Sequence, residues 1–164
     1  MRLLFLFVLV AVLTSCYEAE MEAYDRQQWF PRWPDADGDC QNTRQELLIR
    51  LSLAPVTFSN EKSCTVLSGL WLDPYTGQFF DQASDLDVEH IAPLAWVHKN
   101  GGANWTREQR RVFAEDPANL WLVDDDNNQS KGDKGPDEWL PPYRPARAIY
   151  KRQFETVAKK YGLM

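Results

Sequence analysis

Residues 87–93 read Asp87-Val88-Glu89-His90-Ile91-Ala92-Pro93, a run in which a histidine directly follows a carboxylate. Asn119-Leu120 comes later, and residues 127–134 read Asn127-Asn128-Gln129-Ser130-Lys131-Gly132-Asp133-Lys134. An imidazole has a pKa near neutrality and can take a proton from water, while carboxylate and amide oxygens are hard ligands for a divalent cation. This order of residues predicts acid–base chemistry beside a bound metal ion, as in a small metal-dependent phosphodiesterase.

The same stretch predicts a core of two strands and a helix. One strand is expected over residues 88–91, a second over residues 120–123, and a short helix from about Asn127. Between the strands, one helical piece begins near Pro93 and another, capped by Thr106, runs over residues 106–114.

The flanking sequence predicts further elements through its apolar spacing and turn residues. They are a helix capped by Asn42 or Thr43 and running through Ser52, a hairpin of residues 66–72 and 78–80, and a helix over residues 145–161, after an irregular or extended lead-in at residues 24–33. Together these elements predict an α+β fold in one small domain of residues 24–164, with an N-terminal helix and hairpin and a C-terminal helix.

Four ordered tracts resemble HNH endonucleases with the ββα-metal fold, and most closely the secreted or lipid-anchored bacterial members of the GmrSD-type HNH group. The tracts are residues 86–94 with Asn119 and residues 128–134, residues 37–46, residues 73–77, and residues 135–142. The likeness covers roughly residues 24 to 161. It implies a ββα-metal core and an endonuclease that hydrolyses phosphodiester bonds in DNA.

The resemblance implies roles for individual residues. His90 would be the general base that activates a water molecule for attack on phosphorus. Asn119 belongs to the expected catalytic set and is expected to hold the loop between the strands through backbone hydrogen bonds. His98, eight residues after His90, has no partner at that spacing, so we interpret it as a surface or packing residue.

The metal ligands implied are Glu89 and Asn128, with Asp87 as a further candidate. Asn127 is the rival of Asn128, since the two are adjacent in one polar turn. Asp87 shares a strand face with Glu89 and could substitute for it, although turn or helix-cap bonding is the favoured role for Asp87. Two protein ligands, with water and phosphate as the rest, suit Mg²⁺ or a similar ion such as Mn²⁺.

Three basic residues are candidates for contact with substrate phosphate: Lys131, Lys134 and Arg44. The alternative for the two lysines is a solvated helix end, and Arg44 could instead support the fold or the site. The resembling family usually has Arg where this chain has Gln129, which removes one expected phosphate contact.

The first fifteen residues have the pattern of a signal peptide, with Arg2 before an apolar run that is too short to span a membrane. Leu13-Thr14-Ser15-Cys16 resembles a bacterial lipobox, which implies cleavage before Cys16, lipidation of its thiol and a tether over residues 16–23. Ordinary secretion is the alternative. The expected location is the bacterial cell envelope or the exterior.

Cys40 and Cys64 remain when Cys16 is set aside. An even pair of cysteines in an exported chain predicts a disulfide. No Cys-x-x-Cys spacing is present, which argues against a structural zinc site.

The formal net charge is −6, and loss of Arg2 with the signal peptide makes it one unit more negative. This charge argues against a broad electrostatic grip on nucleic acid, but residues 139–164 carry a local excess of five positive charges. We therefore expect modest, salt-sensitive and largely sequence-independent affinity for DNA. The protein is expected to be a monomer. Two rival functions remain: a non-catalytic envelope lipoprotein that binds nucleic acid or a protein partner, and a phosphatase or phosphodiesterase for small substrates.

Overall fold

The computed structural model describes residues 22–164. Its helices are α1 (Arg26–Trp29), α2 (Thr43–Leu51), α3 (Leu94–Lys99), α4 (Arg107–Ala114), α5 (Asp125–Lys131) and α6 (Ala146–Lys160), and its strands are β1 (Thr57–Phe58), β2 (Val66–Leu72), β3 (Phe79–Gln82), β4 (Leu86–His90) and β5 (Leu120–Asp124). The architecture is α+β, as predicted. The expected signal peptide, Cys16 and residues 17–21 of the tether lie outside the described residues. Within residues 22–164, no helix is both long enough and apolar enough to cross a membrane.

Strands β4 and β5 pair antiparallel and lead directly into α5, in the predicted order of strand, strand and helix. His90 is paired with Leu120 at one end of this ribbon, and Glu89 is paired with Trp121. Helix α5 begins at Asp125, two residues before the predicted start, because the Asp124 side chain accepts a hydrogen bond from the Asn127 backbone and caps the helix. Gly132 ends it with φ 56°, a conformation that side chains with a Cβ rarely adopt.

A second sheet is formed by β1, β2 and β3 in antiparallel order, with β2 in the middle. Strands β2 and β3 form the predicted hairpin. Strand β1 has only two residues and is a finding of the structure, since two residues carry no detectable alternation. Helix α2 packs on β2, where the Gln45 side chain accepts a hydrogen bond from the Val66 backbone at 2.8 Å.

The buried apolar side chains fall into two groups on either side of the β4–β5 ribbon. One group joins α2 and β2 to the ribbon, and its members are Leu47, Leu48, Val66, Trp71, Ala83, Leu86, Leu120 and Leu122. The other joins α1, α3, α4 and α6, and its largest fully buried members are Tyr75, Phe113, Tyr150 and Phe154. Burying one large apolar side chain contributes about 2 kcal/mol to the stability of the fold. Packing of the two groups on opposite faces therefore holds the ribbon in place from both sides.

The lead-in is partly helical, so the expectation of irregular or extended structure is wrong for Arg26–Trp29. Asp25 caps this single turn, and Trp29 donates a hydrogen bond from Nε1 to Nδ1 of His98 at 3.0 Å. His98 also binds the backbone carbonyl of Glu22 through Nε2 and is buried. Of the two roles considered for His98, packing is therefore confirmed and a surface position is wrong. The residue ties the start of the described chain to α3.

Candidate active site

A cleft of about 300 Å³ lies at the end of β4, where the ribbon meets the start of α3 and the end of α5. Its wall includes Glu89, His90 and Asn128 from the predicted site, together with Tyr24 and Arg26 from the lead-in. Glu89 and His90 are neighbours at the end of β4, and both contribute to the cleft wall.

The His90 ring is fixed by one hydrogen bond and two aromatic contacts. Its Nε2 lies 2.8 Å from the backbone carbonyl oxygen of Ala114, at the end of α4. A carbonyl oxygen only accepts, so Nε2 carries the proton and Nδ1 has the free lone pair. The ring stacks on Trp33, with centroids 5.3 Å apart, and packs against the Phe30 ring at an interplanar angle of 83°. Among residues 22–164, Nδ1 has no hydrogen-bond partner, which leaves it available to a ligand in the cleft.

Burial keeps this imidazole neutral. Desolvation lowers the pKa of His90 to about 3; the Ala114 carbonyl opposes the shift, and the charges of Arg26 and Lys131 add to it. At neutral pH the ring is therefore neutral, with Nδ1 unprotonated, which is the form that a general base needs.

Asn119 holds the segment that follows His90. Its side chain is fully buried, accepts a hydrogen bond from the Ala92 backbone N–H at 2.8 Å and donates to the Ala92 carbonyl at 3.3 Å. The Asn119 carbonyl also accepts from the Ile91 backbone. These are the backbone hydrogen bonds expected of Asn119, and they make it a positioning residue for the end of β4.

Glu89 forms a buried ion pair with Lys131, whose Nζ also donates to the His90 backbone carbonyl at 3.2 Å. Lys131 is fully buried, so it is neither a solvated helix end nor a cation exposed to incoming phosphate. Burial raises the pKa of Glu89 to about 7 although the Lys131 ammonium opposes the shift, and burial likewise lowers the pKa of Lys131. The pair holds the Glu89 carboxylate in place at the base of the cleft.

Asn128 is oriented by Asp87. Its Nδ2 donates to Asp87 Oδ2 at 2.9 Å, which leaves the amide oxygen Oδ1 for another partner. Asn127 is turned to the start of α5, where its Nδ2 donates to Asp124 Oδ2 at 2.5 Å. Of the two rival asparagines, Asn128 lines the cleft, and Asp87 acts on it by hydrogen bonding.

The two other candidates for phosphate contact lie away from the cleft wall. Lys134 is exposed and donates to the Ser130 carbonyl at 2.7 Å. Arg44 donates from one guanidinium nitrogen to the carbonyls of Ala83 at 2.7 Å and Leu86 at 3.0 Å. These bonds tie α2 to the start of β4, which is the supporting role considered for Arg44 as its alternative.

The donor set of the cleft fits a hard divalent cation. Glu89 Oε2 and Asn128 Oδ1 have no hydrogen-bond partner among residues 22–164, and both are oxygen ligands of the kind that Mg²⁺ prefers. Soft ligands are missing from the cleft wall as described, since Cys40 and Cys64 form a disulfide elsewhere. The predicted disulfide is thereby confirmed.

Comparison with known families identifies the chain. The family model described as GmrSD restriction endonucleases, C-terminal domain, matches residues 43–162. The chain belongs to this family. It is also 38% identical over 157 residues to an uncharacterized secreted protein of Arthroderma benhamiae, covering 94% of this chain and 74% of that protein. No solved structure shows significant similarity to it.

Membership of the GmrSD C-terminal domain family places the chain in a nuclease-related family. The secreted relative and the disulfide both fit an extracellular protein. Glu89, His90, Asn119 and Asn128 all lie within the matched residues.

Three residues at or beside the cleft lie ahead of the span that matches the GmrSD family, and sequence reasoning missed them as site residues: Tyr24, Arg26 and Trp33. The only signal in the sequence was the aromatic and basic composition of residues 24–33. Trp33 contacts His90 and Tyr24 contacts His98, and each of these partners is more than fifty residues away in the chain. Arg26 packs over Phe30, which in turn contacts His90.

Proposed function

We propose that this chain is a metal-dependent endonuclease of the HNH type that hydrolyses phosphodiester bonds in DNA. RNA is the alternative substrate. One observation carries the proposal. The His90 ring is fixed through Nε2 with Nδ1 left free, in a cleft whose wall also contains the Glu89 carboxylate and the Asn128 amide.

His90 accepts a proton from a water molecule through Nδ1 while the water oxygen bonds to phosphorus and the bond to the 3′ oxygen breaks, which leaves a 5′ phosphate. Burial makes the imidazole a weak base, because it lowers the pKa of His90. A phosphodiester anion beside the ring raises its pKa again, since a nearby negative charge favours the protonated form.

Glu89 and Asn128 would hold a Mg²⁺ or Mn²⁺ ion through their free oxygens. When bound, the ion supplies charge stabilisation for the departing 3′ oxygen and the phosphoryl oxygens. Lys131 positions the Glu89 carboxylate, and Asp87 turns the Asn128 amide oxygen away from itself.

The test is plasmid nicking by the purified chain in Mg²⁺, Mn²⁺, Ca²⁺ and EDTA. We expect cleavage that EDTA abolishes, and a loss of at least about 10²-fold in His90→Ala. Asn128→Ala and Asn127→Ala form a matched pair, since the residues are neighbours with the same side chain and only Asn128 lines the cleft. Asn128→Ala should need much more metal for activity, and Asn127→Ala should stay close to the wild type.

Full activity in a folded His90→Ala variant would contradict the assignment of the base. DNA binding that is insensitive to EDTA, without products in any of the cations, would favour the binding-only lipoprotein. Faster hydrolysis of mononucleotide esters than of plasmid would favour the phosphodiesterase for small substrates.

A further inference from the structure

Arg26 is the only lysine or arginine among the residues of the described chain that line the active-site cleft. It lies on α1, is exposed, and precedes the residues that the family model matches. Its position at the cleft therefore belongs to this chain's lead-in and not to the matched domain.

The other charges at the cleft are already paired. Lys131 is buried against Glu89, and Asp133 at the rim is bound to Lys99 at 2.6 Å. Arg26 makes no ion pair among residues 22–164. Its side chain interacts with the Tyr24 hydroxyl, but no carboxylate neutralises its positive charge, which can attract an anion that enters the cleft. A guanidinium matches the geometry of phosphate oxygens and can bind two of them at once.

Aromatic packing places Arg26 beside the catalytic ring. Its guanidinium carbon lies 5.7 Å from the centre of the Phe30 ring, and the same Phe30 ring lies 5.8 Å from the centre of the His90 ring. A phosphate held by Arg26 would therefore lie next to His90.

We infer that Arg26 binds the substrate phosphate in the cleft. It thus makes the phosphate contact for which the sequence offered Lys131, Lys134 and Arg44 as candidates. The inference rests on the proposed function, because it names the group that holds the phosphodiester for that chemistry. Residues 24–33 are accordingly part of the substrate site, with Tyr24 beside Arg26 on the cleft wall.

The experiment compares Arg26→Gln with Arg32→Gln in the full chain. Arg32 is a matched control, since it lies six residues away, is also exposed, and lines a different groove whose wall shares no residue with the cleft. Binding of a short duplex DNA is measured in EDTA by fluorescence anisotropy over a range of salt concentrations. Arg26→Gln should weaken binding by about tenfold and reduce the slope of log K against log salt by about 0.9, as expected for one lost phosphate contact. Arg32→Gln should match the wild type.

Cleavage kinetics separate this inference from the proposed function. With Mg²⁺ present, Arg26→Gln should raise KM by about tenfold, and Arg26→Lys should recover part of the loss. If the wild type cleaves and Arg26→Gln has wild-type KM, affinity and salt slope, the role of Arg26 is wrong and the nuclease stands. If binding depends on Arg26 but no cation supports cleavage, the proposed function fails and Arg26 remains the anion-binding residue. Equal losses in the Arg26 and Arg32 variants would also overturn the inference, because they would indicate a diffuse charge effect.

Discussion

At the scale of single residues, the site depends on two opposite charges that are both buried. Glu89 and Lys131 gain their mutual attraction only after each has lost its contact with water, and removing one partner leaves the other as an unpaired charge in the interior. This makes the pair more important for the integrity of the site than its contribution to net stability indicates.

We expect Lys131→Met to destabilise the protein by about 3 kcal/mol or more, because the Glu89 carboxyl then remains buried without its cation. Glu89→Gln should also destabilise it, since Lys131 loses its partner. The Glu89→Gln/Lys131→Met double variant should be more stable than the sum of the two losses predicts, by at least about 2 kcal/mol. Urea unfolding in EDTA measures the three variants without any contribution from a metal ion. Additive losses would contradict the coupling of the pair.

Part of the candidate site could be proposed from the sequence, where its residues are close together in the chain. His90 next to Glu89 and the downstream asparagine pair were visible as types and spacings. The partners of these residues were not visible, because they come from distant parts of the chain. Nothing local links Asn128 to Asp87, which is 41 positions away, or His90 to the Ala114 carbonyl. The sequence suggested that Lys131 contacts substrate phosphate. Only the fold shows that Lys131 is paired with the buried carboxylate of Glu89.

At the scale of elements, Asp116 connects the end of α6 to the turn that leads into β5. Its carboxylate accepts hydrogen bonds from Lys160 Nζ at 2.7 Å, from the Tyr161 hydroxyl at 2.9 Å and from the Ala118 backbone. The Asp116 carbonyl also accepts from the backbone of Asn119, the residue that clamps the segment after His90. The last helix thus supports the site from behind.

This connection predicts a pH dependence of stability. Burial alone would raise the pKa of Asp116, but the hydrogen bonds, that from Lys160 the largest, outweigh it and hold the pKa below the ordinary 3.8. A carboxyl with a lower pKa in the folded state stabilises the protein above its unfolded pKa, and the contribution is lost as the pH falls through the folded pKa. Asp116→Asn should therefore cost about 1 to 2 kcal/mol at pH 7, and the difference from the wild type should shrink below about pH 4.

Urea unfolding at pH 7, 5 and 3 measures this difference. Glu155→Gln is the control, since Glu155 pairs with Lys159 on the exposed face of the same helix, and such surface pairs contribute little. A gap between Asp116→Asn and the wild type that stays constant down to pH 3 would contradict the role of the Asp116 carboxylate.

The predictability of the elements follows from how far each depends on its own residues. Helix α4 was predicted within one residue, because Thr106 and Gln109 form a complete capping box at its start. Helix α1 was not predicted. It has four residues, too few to be stable alone. It forms because Trp29 is held by its hydrogen bond to His98 on α3. Strand β1 likewise exists only through its pairing with β2.

At the scale of the whole molecule, the disulfide joins the loop before α2 to the loop between β1 and β2. The bond between Cys40 and Cys64 closes a segment with a separation of 24 residues, which contains all of α2 and β1. Helix α2 in turn carries Arg44, whose guanidinium holds the carbonyls of Ala83 and Leu86 at the start of β4. The disulfide therefore restrains the half of the protein that supports the ribbon from the side opposite to α6.

Removing the disulfide should cost about 3 kcal/mol, because the unfolded chain regains the entropy that closure of a loop of this length removes. We expect Cys40→Ser/Cys64→Ser to unfold at lower urea concentration than the oxidised wild type, and dithiothreitol to shift the wild type but not the double variant. His90 and its contacts with Trp33 and the Ala114 carbonyl lie outside the closed segment, so the folded double variant should keep the proposed nuclease activity of the wild type at low temperature. Loss of activity in a variant that is still folded would show instead that the disulfide helps to position the cleft, through α2 and the bonds of Arg44 to the start of β4. In that case Arg44→Gln should cause the same loss.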